Sequence, residues 1–141
     1  MNCELCESNG GELLWRNRHC RVVQINDADY QGFCRVIWNS HVKEMSDLSV
    51  DERRQLMDVV FAVEQAIRLT LAPDKINLAS LGNLTPHLHW HVIPRVVDDA
   101  HFPSPVWSER RRAGTRVAAP DLATRLRAAV TSAISHLDWS D

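Results

Sequence analysis

Apolar and polar positions change period several times along this chain, and each change marks an element. Residues 13–17 and 20–25 are short apolar-rich runs joined by Asn17-Arg18-His19, which reads as two strands and a tight connection. Residues 26–32 are polar and turn-like. Phe33-Cys34-Arg35-Val36-Ile37-Trp38 is a third strand, rich in β-branched and aromatic residues. Ser49-Val50-Asp51-Glu52 has the form of a capping box. Apolar residues then recur at Leu56, Val59, Val60, Val63 and Ile67, which is helical spacing. The pattern predicts a helix over 50–71, stopped by Pro73. Residues 76–81 form a fourth strand, 82–86 a turn, and 88–96 a fifth strand. A proline- and arginine-containing excursion over 98–120 follows, read as a long ordered or partly mobile loop. Leu122, Leu126, Val130, Ala133, Ile134 and Leu137 share one side of a closing helix over 121–137. The order predicts an α+β fold. It has an antiparallel sheet of about five strands, one long central helix packed on it, and a C-terminal helix.

Composition narrows the setting. The 141 residues fit a single domain over 1–141, with 45% hydrophobic and 24% charged residues. A net charge of −2 gives no global pull toward a nucleic-acid polymer or a membrane surface. No apolar run approaches the roughly 20 residues of a membrane span. The first residues lack the basic and apolar regions of a signal peptide, so a cytoplasmic protein is expected. In a reducing compartment the four cysteines are read as thiols or metal ligands. Cys20 and Cys34 are expected as small buried residues. Cys3-x-x-Cys6 has metal-ligand spacing but is half of a site.

The fifth strand holds the chemistry. In His87-Leu88-His89-Trp90-His91-Val92 three histidines alternate with three apolar residues. Strand side chains alternate faces, so the reading puts His87, His89 and His91 on one face and Leu88, Trp90 and Val92 on a core face. Imidazole can bind a metal, attack phosphorus or exchange a proton near neutral pH. The row therefore reads as a metal site, a nucleophilic site or a solvated polar face.

The run Gly82-Asn83-Leu84-Thr85-Pro86-His87-Leu88-His89-Trp90-His91-Val92-Ile93-Pro94-Arg95 resembles the signature of the histidine triad (HIT) family. In particular it is similar to a bacterial branch often labelled dinucleoside polyphosphate hydrolases. The Cys-x-x-Cys start, the polar turn near Asp27, the strand leading to His41 and the central helix fall in the matching order, up to about Trp107. The resemblance implies a HIT-like fold and attack on the α-phosphorus of a nucleoside phosphate or phosphoramidate. His89 would be the nucleophile, forming a nucleotidyl-histidine. His91 would contact the α-phosphate and help the leaving group, and His87 would orient the site. Asn83 would meet the phosphate side, and Asn26 and Asp27 the ribose hydroxyls. No metal is required for that step. The resemblance also implies a homodimer and a structural zinc held by Cys3, Cys6, His41 and His87.

Two departures stand out. Phe33 follows Gly32 where many relatives place a further phosphate-contacting histidine, and Leu84 stands where some have a serine. Arg95 and the Arg110–Arg112 run are then candidates for phosphate, although a solvated basic face is the plainer reading of the run. These departures keep a rival in view, a low-turnover nucleotide-binding sensor; a protein whose triad face is itself a metal-ligand set is another. Trp38, Trp90 and Phe61 are assigned to core or dimer surface. His19, His101 and His136 are assigned to the surface. Asp29 is read as a turn residue, and Trp107 as packing or as a platform for a base.

Overall fold

The structure is a computed structural model that describes residues 2–114 and 119–137. It is built on one five-stranded sheet: β1 (Glu12–Arg16), β2 (Cys20–Gln24), β3 (Cys34–Trp38), β4 (Lys75–Ala79) and β5 (His89–Arg95). The order across the sheet is β1-β2-β3-β5-β4, and every neighbouring pair is antiparallel. The expected α+β sheet of about five strands is therefore present. β1 carries a register shift between Leu13 and Trp15.

Among the described residues there are three α-helices, α1 (Glu4–Glu7), α2 (Val50–Leu71) and α3 (Leu122–Ser135). α2 has the predicted limits because its ends are written locally. The Ser49 hydroxyl accepts the Glu52 N–H at 3.1 Å, and Glu52 accepts the Ser49 N–H at 2.8 Å. At the other end Ala72 adopts a left-handed conformation ahead of Pro73. The short α1 escaped the sequence reading. It is a single turn with no apolar repeat, and it is ordered by what it packs against.

One face of the sheet carries the core. Cys20, Val22, Cys34, Val36, Leu88 and Val92 are buried there with Leu56, Val59, Val63 and Ile67 of α2 and Leu122, Leu126, Val130 and Ile134 of α3. Leu88, Trp90 and Val92 thus take the core side, as alternation requires. Trp38 is buried and Trp90 half-buried in this layer, whereas Phe61 is 51% exposed on α2 and is no core residue. Full burial pushes the Cys34 thiol up to about 12.

The other face is covered in two patches. At one end α1 packs Leu5 onto Val23 and Ile37. Arg21 of β2 fastens it, donating to the carbonyls of Leu5 (2.6 Å), Ser8 (3.2 Å) and Asn9 (3.0 Å). At the other end the segment after β5 folds back over Tyr30, Phe33 and Ile93. The described part of the 98–120 excursion is ordered around Asp99. That carboxylate accepts from Arg95, Tyr30 and the N–H groups of Val96, His101 and Phe102. Residues 115–118 of the excursion lie outside the described residues.

Candidate active site and metal centre

Between those two patches lie the histidines. β5 begins regular pairing at His89, and His87 stands just before it. His89 and His91 are 6% and 5% exposed, and their ring centroids lie 4.9 Å apart at 84°. His89 Nδ1 sits 2.5 Å from the His87 backbone oxygen. A carbonyl only accepts, so Nδ1 carries the proton and Nε2 of neutral His89 carries the lone pair. Burial is the main cause that holds both rings below the usual imidazole range, and it pushes His91 down to about 3. Both imidazoles are therefore neutral at pH 7, the form that attacks an electrophile.

His91 is enclosed by aromatic edges. Phe33 lies 5.6 Å away at 77° and Trp107 5.0 Å away at 66°. Nδ1 of His91 is buried with no hydrogen-bond partner among the described residues. A buried ring nitrogen left open is a position for a ligand or an ordered water. Trp107, 52% exposed, thus packs against the strand while keeping an open side.

His87 is spent differently. Its Nε2 donates to the Trp38 carbonyl at 2.6 Å, which leaves Nδ1 as a lone pair. That Nδ1 lies 3.3 Å from Cys3 Sγ, 3.5 Å from Cys6 Sγ and 3.2 Å from His41 Nδ1, with Cys6 Sγ 3.4 Å from His41 Nδ1. One ligand atom from each of the four residues falls within 4.8 Å of the others. Ligand atoms about a tetrahedral zinc stand roughly 3.3–3.8 Å apart, given Zn–N of about 2.0 Å and Zn–S of about 2.3 Å. Two sulfurs and two ring nitrogens that converge in this way fit a closed structural metal site. The imidazole of His87 belongs to this cluster, and it is the backbone carbonyl of His87 that orients His89.

The remaining sequence candidates are placed as follows. Asn83 stands exposed in the turn opened by Gly82, whose φ is +76°. Asn26 is exposed and Asp27 half-buried in the turn after β2, where the Asp27 carboxylate accepts the Asp29 N–H at 2.9 Å. Arg95 is drawn away from any phosphate. It is 2% exposed and donates to Asp99 (2.8 and 3.1 Å), Asn77 (2.7 Å) and the Ser104 carbonyl (2.7 Å). The Arg110–Arg112 run is exposed, as a solvated basic face would be, and each guanidinium is also engaged within the fold. Arg110 pairs with Asp29 at 2.8 and 3.0 Å, Arg111 with the Ser104 hydroxyl at 3.1 Å, and Arg112 with the carbonyls of Asp99 and Phe102. Asp29 is thus an anchor for the excursion as well as a turn residue. His101, expected on the surface, is half-buried and stacked on Tyr30, whose hydroxyl contacts its Nδ1. Burial, then the nearby Asp99 charge, pushes that tyrosine up to about 12.

The sequence reading missed Arg35 and Asp99. A charged residue inside a central strand was the available signal for Arg35, since arginine is seldom buried without a partner. A cleft of about 340 Å³ lined by Tyr30, Leu71, Pro94 and Leu122 contains none of the histidines.

A five-stranded antiparallel sheet with a triad of histidines on and just before one central strand defines a histidine-triad architecture. The chain belongs to the HIT domain family: the HIT domain model matches residues 8–97. Solved structures agree over nearly the full length. A histidine triad protein of Bradyrhizobium japonicum is 28% identical, with 99% of this chain and 97% of that chain covered and a TM-score of 0.70. A histidine triad protein of Marinobacter aquaeolei is 23% identical, with 97% of each chain covered and a TM-score of 0.74. A Zn-bound histidine triad family protein of Mycobacterium smegmatis is 19% identical, with 96% and 97% covered and a TM-score of 0.67. Among proteins of curated function, none matches this sequence. No helix among the described residues is long and apolar enough to cross a membrane.

Proposed function

We propose that this protein is a nucleotide hydrolase or transferase that attacks the α-phosphorus of a dinucleoside polyphosphate or a nucleoside phosphoramidate. The observation that carries this reading is the His89 tautomer. Its Nδ1–H is held by the His87 carbonyl, so Nε2 is the nucleophilic nitrogen. In the first step Nε2 bonds to the α-phosphorus while the bond to the leaving oxygen or nitrogen breaks. The leaving group departs with the electron pair, and His91 faces that charge from the next position on the same face of the strand. In the second step water attacks the nucleotidyl-histidine, a nucleoside monophosphate leaves, and Nε2 regains its lone pair. The proton of that water passes to solvent. Asn83, Asn26 and Asp27 are assigned to the phosphate side and the ribose.

Cys3, Cys6, His41 and His87 are the residues that would hold zinc, a reading supported by their spacing and by the Zn-bound relative from Mycobacterium smegmatis. Zinc held there would tie the two cysteines at α1 and the loop after β3 to the start of β5, so these four residues would brace the strand that carries His89. It takes no part in the step above. Thiolate ligands suit a reducing compartment, in keeping with a cytoplasmic setting; a homodimer is proposed as the working form.

One observation favours a second reading, a low-turnover nucleotide sensor: Phe33 presents an apolar edge to His91 where a phosphate-contacting histidine would stand. The test is nucleoside monophosphate release from dinucleoside polyphosphates and adenosine phosphoramidates by wild type and His89→Ala. Turnover that collapses in the variant upholds the enzyme. Nucleotide binding with no turnover on any substrate upholds the sensor.

A further inference from the structure

The strand beside the histidines carries a charge to which the steps above give no task. Arg35 of β3 pairs directly with His91 of β5, and on its other side with Val23 of β2. Cross-strand partners project from the same face, so the guanidinium shares the face of His91 and is a diagonal neighbour of His89. Its neighbours along the strand on that face are Phe33 and Ile37, both buried and apolar. Arg35 is itself half-buried, and its Nε is buried without a hydrogen-bond partner among the described residues. A guanidinium N–H left open in such a place is costly unless something arrives to accept from it.

The nearby arginines do not share this condition. Arg21 is committed to the carbonyls of the N-terminal segment, Arg95 to Asp99 and Asn77, Arg110 to Asp29, and Arg112 to Asp99 and Phe102 carbonyls. The charge that acts on Arg35 is the exposed carboxylate of Glu4, which also acts on His89. The two side chains form no salt bridge among the described residues, so Glu4 is no bonded partner of the guanidinium.

We propose that Arg35 is the phosphate-binding residue of this site, its guanidinium taking the non-bridging oxygens of the α-phosphate presented to His89. This rests on the reading of His89 as a nucleophile toward nucleoside phosphates. The planar fork of arginine matches two phosphoryl oxygens and remains charged at any working pH. Arg35 thereby supplies the positive charge that the pair of neutral imidazoles lacks and that Phe33 does not provide. The ligand class is a nucleoside 5′-phosphate, and an uncharged nucleoside gains nothing from this residue.

The experiment is calorimetric titration of AMP and of adenosine into wild type, Arg35→Met, Arg35→Lys and Glu4→Gln, with a thermal melt of each variant. AMP affinity is expected to fall about tenfold or more in Arg35→Met and to recover in part in Arg35→Lys, the loss of one charge-assisted contact. Adenosine affinity should not change, and Glu4→Gln should bind AMP more tightly. Wild-type AMP affinity in Arg35→Met overturns the proposal and leaves the His89 reading standing; a lowered melting temperature alone would then make Arg35 a structural residue of this face. Should Arg35→Met fail to fold, Arg35→Lys decides, because full AMP affinity without the fork overturns the proposal equally. Wild type that binds no AMP overturns this proposal together with the nucleotide reading.

Discussion

The two faces of the sheet obey different physics although the same strands supply both. On the helix-covered face Val22, Val36, Val92, Leu56 and Val63 are apolar and inaccessible to water, and they are held by area and shape alone. On the opposite face Arg21, Arg35, His89, His91 and Arg95 alternate with those residues in sequence, and each is held, if at all, by a directed contact. The first face tolerates apolar side chains of similar volume. The second requires particular donors and acceptors, which is why the groups left open there, Nδ1 of His91 and Nε of Arg35, point to a ligand.

The sharpest way to break this contrast is His89→Ala. Under the proposed mechanism it should lower kcat for nucleotide release by about a thousandfold or more, with the melting temperature little changed. A variant retaining wild-type turnover would move the nucleophile elsewhere. Leu56→Ala probes the other face. Leu56 is 0% exposed, and its truncation should cost about 2–5 kcal/mol in chemical denaturation while activity per folded molecule stays the same.

Asp99→Asn tests a directed contact that stabilises without catalysing. Burial alone would raise the Asp99 carboxyl, but Arg95 and the N–H groups of His101, Phe102 and Val96 outweigh it and hold the group well below the usual carboxylate range. A depressed folded pKa gives stability that is present above the unfolded value of about 3.9 and is lost as pH falls through the folded one. The variant should therefore be about 3 kcal/mol less stable at neutral pH, a buried ion pair having lost one partner. Its acid-denaturation curve should approach that of wild type below about pH 3. Curves that stay parallel across the whole range would remove Asp99 from this role.

Chelation addresses the edge between the faces. Removing metal from purified protein, or the Cys6→Ser change, should lower the melting temperature and loosen α1, seen as faster amide exchange at residues 4–7. Equal melting curves with and without chelator would leave the four ligands as an ordinary polar cluster. The smallest effect is expected from Phe61→Ser, since a half-exposed ring on the outer side of α2 should shift stability within about 0.5 kcal/mol. A larger loss, or a change in sedimentation, would place that ring in the contact between two copies.

Much of this was already written in local chemistry. The Ser49/Glu52 box and Pro73 bound the 22 residues of α2 through contacts within a few residues of each end, so α2 followed from its own ends. Alternation assigned Leu88, Trp90 and Val92 to the core because a strand has only two faces. The His-x-His-x-His run and the Cys-x-x-Cys pair marked their positions by residue type, and Cys3, Cys6, His41 and His87 do come together. What the chain order leaves open is which charged group meets which. Arg35 and Arg95 are both arginines on strands and both on the histidine face. Only the register between β3 and β5 sets Arg35 beside His91, and only the fold-back after β5 brings Asp99 onto Arg95. Likewise the histidines were legible as three, but the nearness of two sulfurs and His41 divides them, taking the His87 ring for the metal cluster and leaving His89 with a carbonyl. Periodicity reports which face a residue takes; the partner it finds there depends on strand pairing and loop path, and those are decided across distances that no local pattern spans.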